Sequence, residues 1–190
     1  MKHLILFFSA AVFLLFTESA VSAQQIVYAD ASAFPLYGKV SEDTDGRYER
    51  LPSHLKTVSR EPVWYLGRNS AGLYIRFRSN STSIHLRWES MFNNSMTHMT
   101  DTGTKGLDLY ALQDGEWRHV CSAQPQGKKS ERAVIRYMDP IEREYMLYLS
   151  LYDGISSLEI GVDEGASLDM PAVDSPSSER PVVMYGSSIL

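Results

Sequence analysis

Gly72-Leu-Tyr-Ile-Arg-Phe-Arg78 alternates apolar and polar side chains without a break, and Ser83-Ile-His-Leu-Arg-Trp88 does the same. Strict alternation of this kind is typical of a β-strand with one buried face. The polar residues 79–82 lie between the two segments and predict a turn, so we expect an antiparallel hairpin. Its apolar face, which includes Trp88, would pack into the core. Its outer face would carry four basic or titratable side chains, Arg76, Arg78, His85 and Arg87.

The same alternation returns in several further segments towards the C-terminus. They cover residues 107–112, 116–121, 132–137, 145–151 and 157–162. Turn sequences separate two pairs of them, Gln113-Asp114-Gly115 and Tyr152-Asp153-Gly154. Many short strands with few helical stretches are typical of a sandwich or a jelly roll. We therefore predict an all-β fold, an antiparallel, jelly-roll-like β-sandwich over residues 24–164.

The first 23 residues have the features of a secretory signal peptide. Lys2 precedes a long apolar run, and Val21-Ser22-Ala23 supplies the small residues that signal peptidase recognises. The apolar run is shorter than the ~20 residues that a membrane-spanning helix needs. These features favour cleavage after Ala23 over a membrane anchor. We expect an exported protein, periplasmic or extracellular, with no stable membrane anchor after cleavage.

The C-terminal residues change character twice. Residues 165–180 are rich in proline, serine and acidic side chains and predict a linker. Val182–Tyr185 is then a continuous apolar run that ends at Gly186-Ser187, which fits a buried strand of a parallel sheet. A parallel sheet needs further strands and helices, so we expect residues 181–190 to be the first strand of a second, α/β domain.

Charge and cysteine content exclude several classes of function. The net charge of −5 argues against nucleic acid as a partner. Cys121 is the only cysteine in the sequence, so the chain forms no intramolecular disulfide and no cysteine-based metal site. Its position in a strand-like segment favours a buried, inert thiol over a nucleophile. No His, Asp and Glu cluster has metal-ligand spacing, and we expect neither a metal nor a cofactor.

Gly106-Leu-Asp-Leu-Tyr110 matches the Gly-x-Asp-Leu-Tyr motif of a known family. The chain resembles the N-terminal sandwich domain that precedes the catalytic domain of some SGNH-type (GDSL-like) esterases. The resemblance covers roughly residues 27–190. It also rests on Arg60–Trp64, Ser70–Arg78, His98-Met99, Leu158–Val162 and Tyr185-Gly-Ser-Ser-Ile189.

This resemblance implies that Ser188 is the catalytic nucleophile of a domain that begins at the last strand. A serine at a strand-to-helix turn exposes its Oγ, and the next helix N-terminus faces the developing oxyanion. The family's activating His and Asp and the remaining oxyanion-hole groups come from later blocks, and none lies between Ser188 and Leu190. We therefore expect this chain alone to be inactive.

The resemblance also implies what the parent protein does. It would hydrolyse esters through an acyl-enzyme, with deacetylation of a carbohydrate as the expected reaction. The sandwich would support an SGNH catalytic domain as its partner. His98, in a polar and Met-rich loop, is a candidate for lining the cleft between the two.

Two other residues are candidate ligand contacts. Asp108 is unusual within a strand, and a cross-strand pair with Arg76, Arg78 or Arg87 is the favoured interpretation. The alternative is a carboxylate that faces a ligand. Trp117 lies beside the turn at Gly115, where partial exposure would allow contact with a sugar.

Two alternative functions remain open from the sequence. The first alternative is a free-standing carbohydrate-binding sandwich. The second is a structural or interaction domain whose apolar tail adds to the sheet of a partner. Glycan binding that depends on Trp117 would support the first. Association that depends on residues 181–190 would support the second.

Overall fold

The computed structural model describes residues 24–173, which form two antiparallel β-sheets around one apolar core. The strands are β1 (Ile26–Asp30), β2 (Leu36–Tyr37), β3 (Tyr74–Ser79), β4 (Ile84–Ser90), β5 (Leu107–Gln113), β6 (Glu116–Ala123), β7 (Lys129–Ile135), β8 (Arg143–Tyr148), β9 (Ile155–Asp163) and β10 (Leu168–Asp169). Two short α-helices, α1 (Glu61–Gly67) and α2 (Asp101–Lys105), and two 3-10 turns, Ala31–Ala33 and Ser53–Thr57, lie between strands. This confirms the predicted all-β sandwich.

The smaller sheet has the order β1-β9-β4-β7. The larger sheet has the order β10-β3-β8-β5-β6, and β2 pairs with the free edge of β3 next to β10. Strand β10 lies in residues that the sequence assigns to a linker, so the sheet continues to Asp169. The predicted signal peptide, the end of the predicted linker and residues 181–190 with Ser188 lie outside the described residues.

Both sheets contribute side chains to the core. Ile75 and Phe77 point inward from β3, and Leu86 and Trp88 point inward from β4. All four are at most 3% exposed, as the alternation predicts. Burying an aliphatic or aromatic side chain of this size stabilises the fold by about 1.5–3 kcal/mol. The core therefore holds the two sheets together without any disulfide.

The predicted hairpin between β3 and β4 is wrong. β3 pairs with β8 in the larger sheet, and β4 pairs with β7 and β9 in the smaller one. The chain crosses between the sheets at residues 80–83, and the buried carboxylate of Asp163 holds the crossing. It accepts hydrogen bonds from the backbone amides of Thr82 and Ser83, at 2.8 and 3.1 Å. Alternation predicts which side chains point inward. It does not distinguish a hairpin from a crossing between the two sheets, because both arrangements bury the same side chains.

The turn between β5 and β6 agrees with its sequence. Asp114 and Gly115 have φ values of 53° and 81°, which identifies a two-residue type I′ turn. At the other end of β5, Gly106 lies where α2 meets the sheet. A Cβ on Gly106 would lie 2.3 Å from the Thr102 carbonyl oxygen, so glycine is required there. These two turns set the register in which Leu107 and Leu109 are fully buried and Asp108 points outward.

Candidate binding surface on the six-stranded sheet

A continuous row of aromatic rings crosses the outside of the larger sheet, from β2 to β6. Its members in order are Tyr37, Tyr74, Tyr148, Tyr110 and His119. Neighbouring ring centroids lie 5.2, 5.0, 5.6 and 5.3 Å apart. Adjacent strands are about 4.8 Å apart, which brings outward side chains of successive strands into ring contact. We call this row, together with Arg76, Asp108, Trp117 and Glu144, the outer aromatic face.

The rings of this face cover one another. Tyr37 and Tyr74 are nearly parallel, at 15°, so each occupies one face of the other. Tyr110 meets Tyr148 and His119 edge-on, at 74° and 75°. All four tyrosines are half-buried. Burial raises the pKa of Tyr148, with smaller contributions from its tyrosine neighbours.

A buried ion pair lies beside this row. The side chains of Arg76 and Glu144 are 3% and 9% exposed, and the Nη2 to Oε2 distance is 4.0 Å. The Arg76 guanidinium lies over the rings of Tyr37 and Trp117, at 5.7 and 5.1 Å from their centroids. Within residues 24–173, Nε and Nη2 of Arg76 and Oε2 of Glu144 have no hydrogen-bond partner. Buried charges without hydrogen bonds destabilise a fold, because water no longer solvates them.

The structure brings two of the predicted site residues, Asp108 and Trp117, to this face. Trp117 is half-buried, in agreement with its predicted partial exposure. The predicted arginine partner of Asp108 is wrong. Asp108 instead accepts a hydrogen bond from Ser122 Oγ at 2.5 Å.

The three arginines have other partners. Arg76 lies near Glu144, and the remaining pairs are Arg78 with Glu142 and Arg87 with Glu131. The strand order explains why Asp108 has no arginine partner. Strand β8 lies between β5 and β3, and Glu144 on β8 lies directly across from Arg78 on β3. Arg87 belongs to the other sheet. The alternation within one strand does not reveal these neighbours.

Asp108, His119 and Ser122 combine the three side-chain types of a serine esterase, but not its geometry. A serine nucleophile gives its proton to a histidine, and the aspartate holds the other ring nitrogen of that histidine. Here Ser122 donates to Asp108 directly. The same atom, His119 Nε2, faces Ser122 Oγ at 3.2 Å and Asp108 Oδ1 at 4.0 Å. Ser122 is therefore not activated, and the group is a hydrogen-bonded cluster on the sheet surface.

His98 lies in a separate loop. It is exposed in the tight turn that an isolated bridge between Met96 and Met99 closes. The fully buried carboxylate of Asp153 anchors the start of this loop by accepting the amides of Phe92 and Asn94, at 2.9 and 2.7 Å. The structure thus presents His98 on an ordered loop, but does not bring it to the outer aromatic face.

Lys105 anchors the same loop from its other side. The side chain is 2% exposed, and Nζ donates to Asn93 Oδ1 at 2.7 Å and contacts Asp101 Oδ2 at 3.2 Å. A buried ammonium group of this kind is stable only when it is paired and hydrogen-bonded. Neither Lys105 nor Asp153 was singled out from the sequence as an anchor, because their partners come from the loop conformation.

The opposite sheet carries an open depression of about 510 Å³ that Arg87 and Glu131 line. Arg87 is already paired there. Its guanidinium donates to both carboxylate oxygens of Glu131, at 2.9 and 3.3 Å, and lies 3.5 Å from the Tyr28 ring centroid. Arg87 is therefore not free to bind an anionic ligand in this depression.

Three further observations concern chemistry at the described residues. Cys121 is half-buried; burial, with a smaller contribution from the charge of Asp108, raises the pKa of its thiol, which disfavours the reactive thiolate. Residues 24–173 contain no group of three or more His, Cys, Asp or Glu side chains placed to hold a metal ion. No helix in this range is long and apolar enough to cross a membrane.

The sequence model of the GxDLY family, the N-terminus of SGNH-type esterases, matches residues 26–168. The chain belongs to this family. The predicted family resemblance is thereby confirmed. In the structure, the GxDLY motif is Gly106–Tyr110. Its two leucines fill the core, and its Asp108 and Tyr110 lie on the outer aromatic face.

The chain is similar to parts of larger proteins whose structures are solved. A GDSL-like lipase from Bacteroides ovatus is 34% identical, with a TM-score of 0.73, over 77% of this chain and 43% of that one. A salicylyl-acyltransferase from a tetracycline biosynthetic pathway is 19% identical, with a TM-score of 0.55, over 80% of this chain and 43% of that one. An acetyl xylan esterase from the rumen bacterium Butyrivibrio proteoclasticus is 14% identical, with a TM-score of 0.36, over 78% and 35%.

The GxDLY chain spans less than half the length of each of these proteins. No curated protein matches it.

Proposed function

We propose that this GxDLY domain is the N-terminal accessory part of an exported SGNH-type esterase. The catalytic domain begins at residues 181–190 and uses Ser188 as its nucleophile. The observation that carries the proposal is the family match over residues 26–168, followed in the same chain by Tyr185-Gly-Ser-Ser-Ile189. The proposed reaction is deacetylation of a carbohydrate through an acyl-enzyme.

The described residues support an accessory role for the sandwich. Ser122 contacts both a histidine and an aspartate, and its hydroxyl donates its proton to the carboxylate and not to the imidazole. The chemistry is therefore assigned to the following domain. Export rests on the signal features of residues 1–23, and the substrate class rests on the resemblance of the terminal block to SGNH-type esterases.

Two proteins test this proposal. One starts at Gln24 and continues through the coding sequence beyond Leu190; the other is the chain 24–190. We expect only the longer protein to hydrolyse p-nitrophenyl acetate and to release acetate from acetylated xylan. Its Ser188→Ala variant should lose activity by about a thousandfold or more, since a serine nucleophile cannot be replaced. The matched Ser122→Ala variant should keep full activity.

Two results would contradict the proposal. Activity of the chain 24–190 would place the chemistry in the sandwich. Retained activity after Ser188→Ala would exclude Ser188 as the nucleophile. Activity on p-nitrophenyl acetate without release of acetate from xylan would support the esterase and exclude acetylated xylan as its substrate.

A free-standing carbohydrate-binding role has less support. Sugar rings stack on open aromatic faces, but here Tyr37 and Tyr74 cover each other and Arg76 lies over Trp117. Isothermal titration of the chain 24–190 with soluble glycans tests this alternative. Glycan binding that is lost in the Trp117→Ala variant would support the carbohydrate-binding alternative.

A further inference from the structure

We propose that the outer aromatic face is the surface on which the C-terminal catalytic domain docks. This inference rests on the function proposed above and adds the site of contact between the two domains. Its basis is the path of the chain, the chemistry of the face and the unpaired atoms of the buried ion pair.

The chain leaves the sandwich beside this face. β10 is paired to the edge of β3, and the next residues then turn towards β8. The Ala172 amide donates a hydrogen bond to Glu144 Oε1, at 2.5 Å. Residues that follow Ala172 therefore start at the margin of the outer aromatic face. The run from there to Ser188 spans at most about 55 Å when fully extended, which is long enough to bring the next domain onto this face.

The composition of the face is that of a protein–protein contact. Tyr, Trp and Arg are the residue types enriched at the centres of such interfaces. Among residues 24–173, the tyrosine hydroxyls that hydrogen-bond to side chains belong to Tyr28, Tyr65 and Tyr145, none of which is on this face. The hydroxyls of the aromatic row are thus available to a partner. Buried tyrosines usually find such partners for their hydroxyls.

The Arg76 and Glu144 pair gives the strongest reason. Three of its polar atoms are buried without a hydrogen bond, although Glu144 does accept one from Ala172. The Arg76 guanidinium lies against the rings of Tyr37 and Trp117, so a docked domain would supply hydrogen bonds to this pair by shifting those rings while it covers the tyrosine edges. A sugar would also supply hydrogen bonds, but the mutual stacking of the rings leaves it no flat platform.

A second exposed apolar surface lies at one end of the sandwich, around α1. Its large side chains include Tyr65, Leu66 and Tyr152, which are 39%, 54% and 41% exposed. Two of its polar groups are already paired: the Tyr65 hydroxyl donates to Asn94 Oδ1, and the Asn94 side-chain amide donates to the Tyr152 carbonyl. Tyr152 follows the C-terminal end of β8, whereas Glu144 and the departing chain lie at its start. The path of the chain therefore favours the outer aromatic face over this end surface.

Hydroxyl-radical footprinting with mass spectrometry tests the inference. The probe labels exposed aromatic side chains in the chain 24–190 and in the protein extended beyond Leu190. We expect labelling of Tyr110, Tyr148 and Trp117 to fall by about threefold or more in the longer protein, as burial in an interface requires. Tyr137, which is 96% exposed, and Tyr28 on the opposite sheet are internal controls and should not change.

The outcomes separate this inference from the proposed function. Protection of Tyr65 and Tyr152 alone would place the contact at the end surface and overturn the inference. No protection in an extended protein with esterase activity would overturn it as well, while the proposed function stands. An extended protein without esterase activity would refute the proposed function, and protection of the face in that protein would still support docking there.

A pair of variants of the extended protein provides the second measurement. Tyr110→Asp places a charge at the centre of the face, and Tyr28→Asp is the matched change on the other sheet. We expect Tyr110→Asp to restore the labelling of Tyr148 and Trp117 to the level of the chain 24–190. Tyr28→Asp should leave their protection intact. Equal protection in both variants would overturn the inference.

Discussion

Replacement of Asp163 by alanine should remove the link that carries the chain from one sheet to the other. Asp163 ends β9 and is 3% exposed. Its carboxylate accepts the backbone amides of Thr82 and Ser83, and also their hydroxyls, each at 2.6 Å. Two of the four backbone amides in the crossing between β3 and β4 are therefore directed at this one side chain.

The expected loss of stability follows from the groups left without a partner. A buried amide that loses its acceptor costs about 1–3 kcal/mol. Ser83 is buried, and its amide keeps only a 3.3 Å hydrogen bond to Ser81 Oγ. Thr82 is half-buried, so water reaches its amide, and both hydroxyls can rotate to other acceptors. We therefore expect Asp163→Ala to lower the free energy of unfolding by about 3 kcal/mol. In a domain of this size that corresponds to a fall in Tm of about 6–12 °C.

The pH dependence of stability provides an independent check. Burial by itself would raise the pKa of Asp163, but the hydrogen bonds from Ser83, Thr82 and Ser81 outweigh it and lower the pKa below its ordinary value. A lowered pKa in the folded state stabilises the fold above the unfolded-state value of about 3.9. That contribution is lost as the pH falls through the folded-state pKa. The variant should therefore lose less stability than the parent chain on acidification below about pH 4.

Urea unfolding of the chain 24–190 at pH 7 and at a series of acidic pH values measures both effects. The m-value should stay constant, because the same surface becomes exposed on unfolding. Asp139→Ala is the matched control, since Asp139 is exposed, and it should change stability by less than about 0.5 kcal/mol. A loss below about 1 kcal/mol for Asp163→Ala would show that the crossing does not depend on this carboxylate.

Three further predictions concern other parts of the fold. Gly106→Ala should destabilise the chain by about 1–3 kcal/mol in thermal unfolding, because the new Cβ would lie 2.3 Å from a backbone oxygen. The control Gly115→Ala has open space around its new Cβ, so it should cost only about 1 kcal/mol for the positive φ of that residue. Lys105→Met should increase amide hydrogen exchange in the loop before α2, and unchanged exchange there would contradict its anchoring role. Tyr28 should titrate at about pH 12 in ultraviolet absorbance, since burial and its hydrogen bond to Glu131 raise its pKa. Stability should fall as the pH rises from about 10 towards that value, and Glu131→Gln should lower the pKa.

The sandwich itself was predictable because each strand carries its own signal. Leu107 and Leu109 alternate with Asp108 and Tyr110, and the buried face follows from that alternation alone. The turn at Gly115 was also predictable, since an Asp-Gly pair favours the type I′ conformation. These are local properties, and the chain encodes each within a few neighbouring residues.

Strand order was not predictable in the same way. The segments β3 and β4 have equal patterns and a short polar connection, which is also what a hairpin has. The crossing differs from a hairpin in its contact with Asp163, about eighty residues away in sequence. The Asp163 carboxylate accepts hydrogen bonds from two amides of the connection. The same limitation explains the wrong partners for Asp108. The side chain that lies beside Asp108 on the next strand is determined by which strands become neighbours. The alternation within a single strand does not contain that information.

The outer aromatic face shows why such a site is assembled only by the fold. Tyr74, Tyr110 and Tyr148 belong to three strands, and each appears in the sequence as one polar position in an alternating segment. Their side-by-side contact with a buried, incompletely hydrogen-bonded Arg76 and Glu144 appears only in three dimensions. In a sandwich that acted alone, apolar residues at those two positions would be as stable or more stable. A docked domain that shifted the covering rings and supplied hydrogen bonds would remove this disadvantage, in line with the proposed interface.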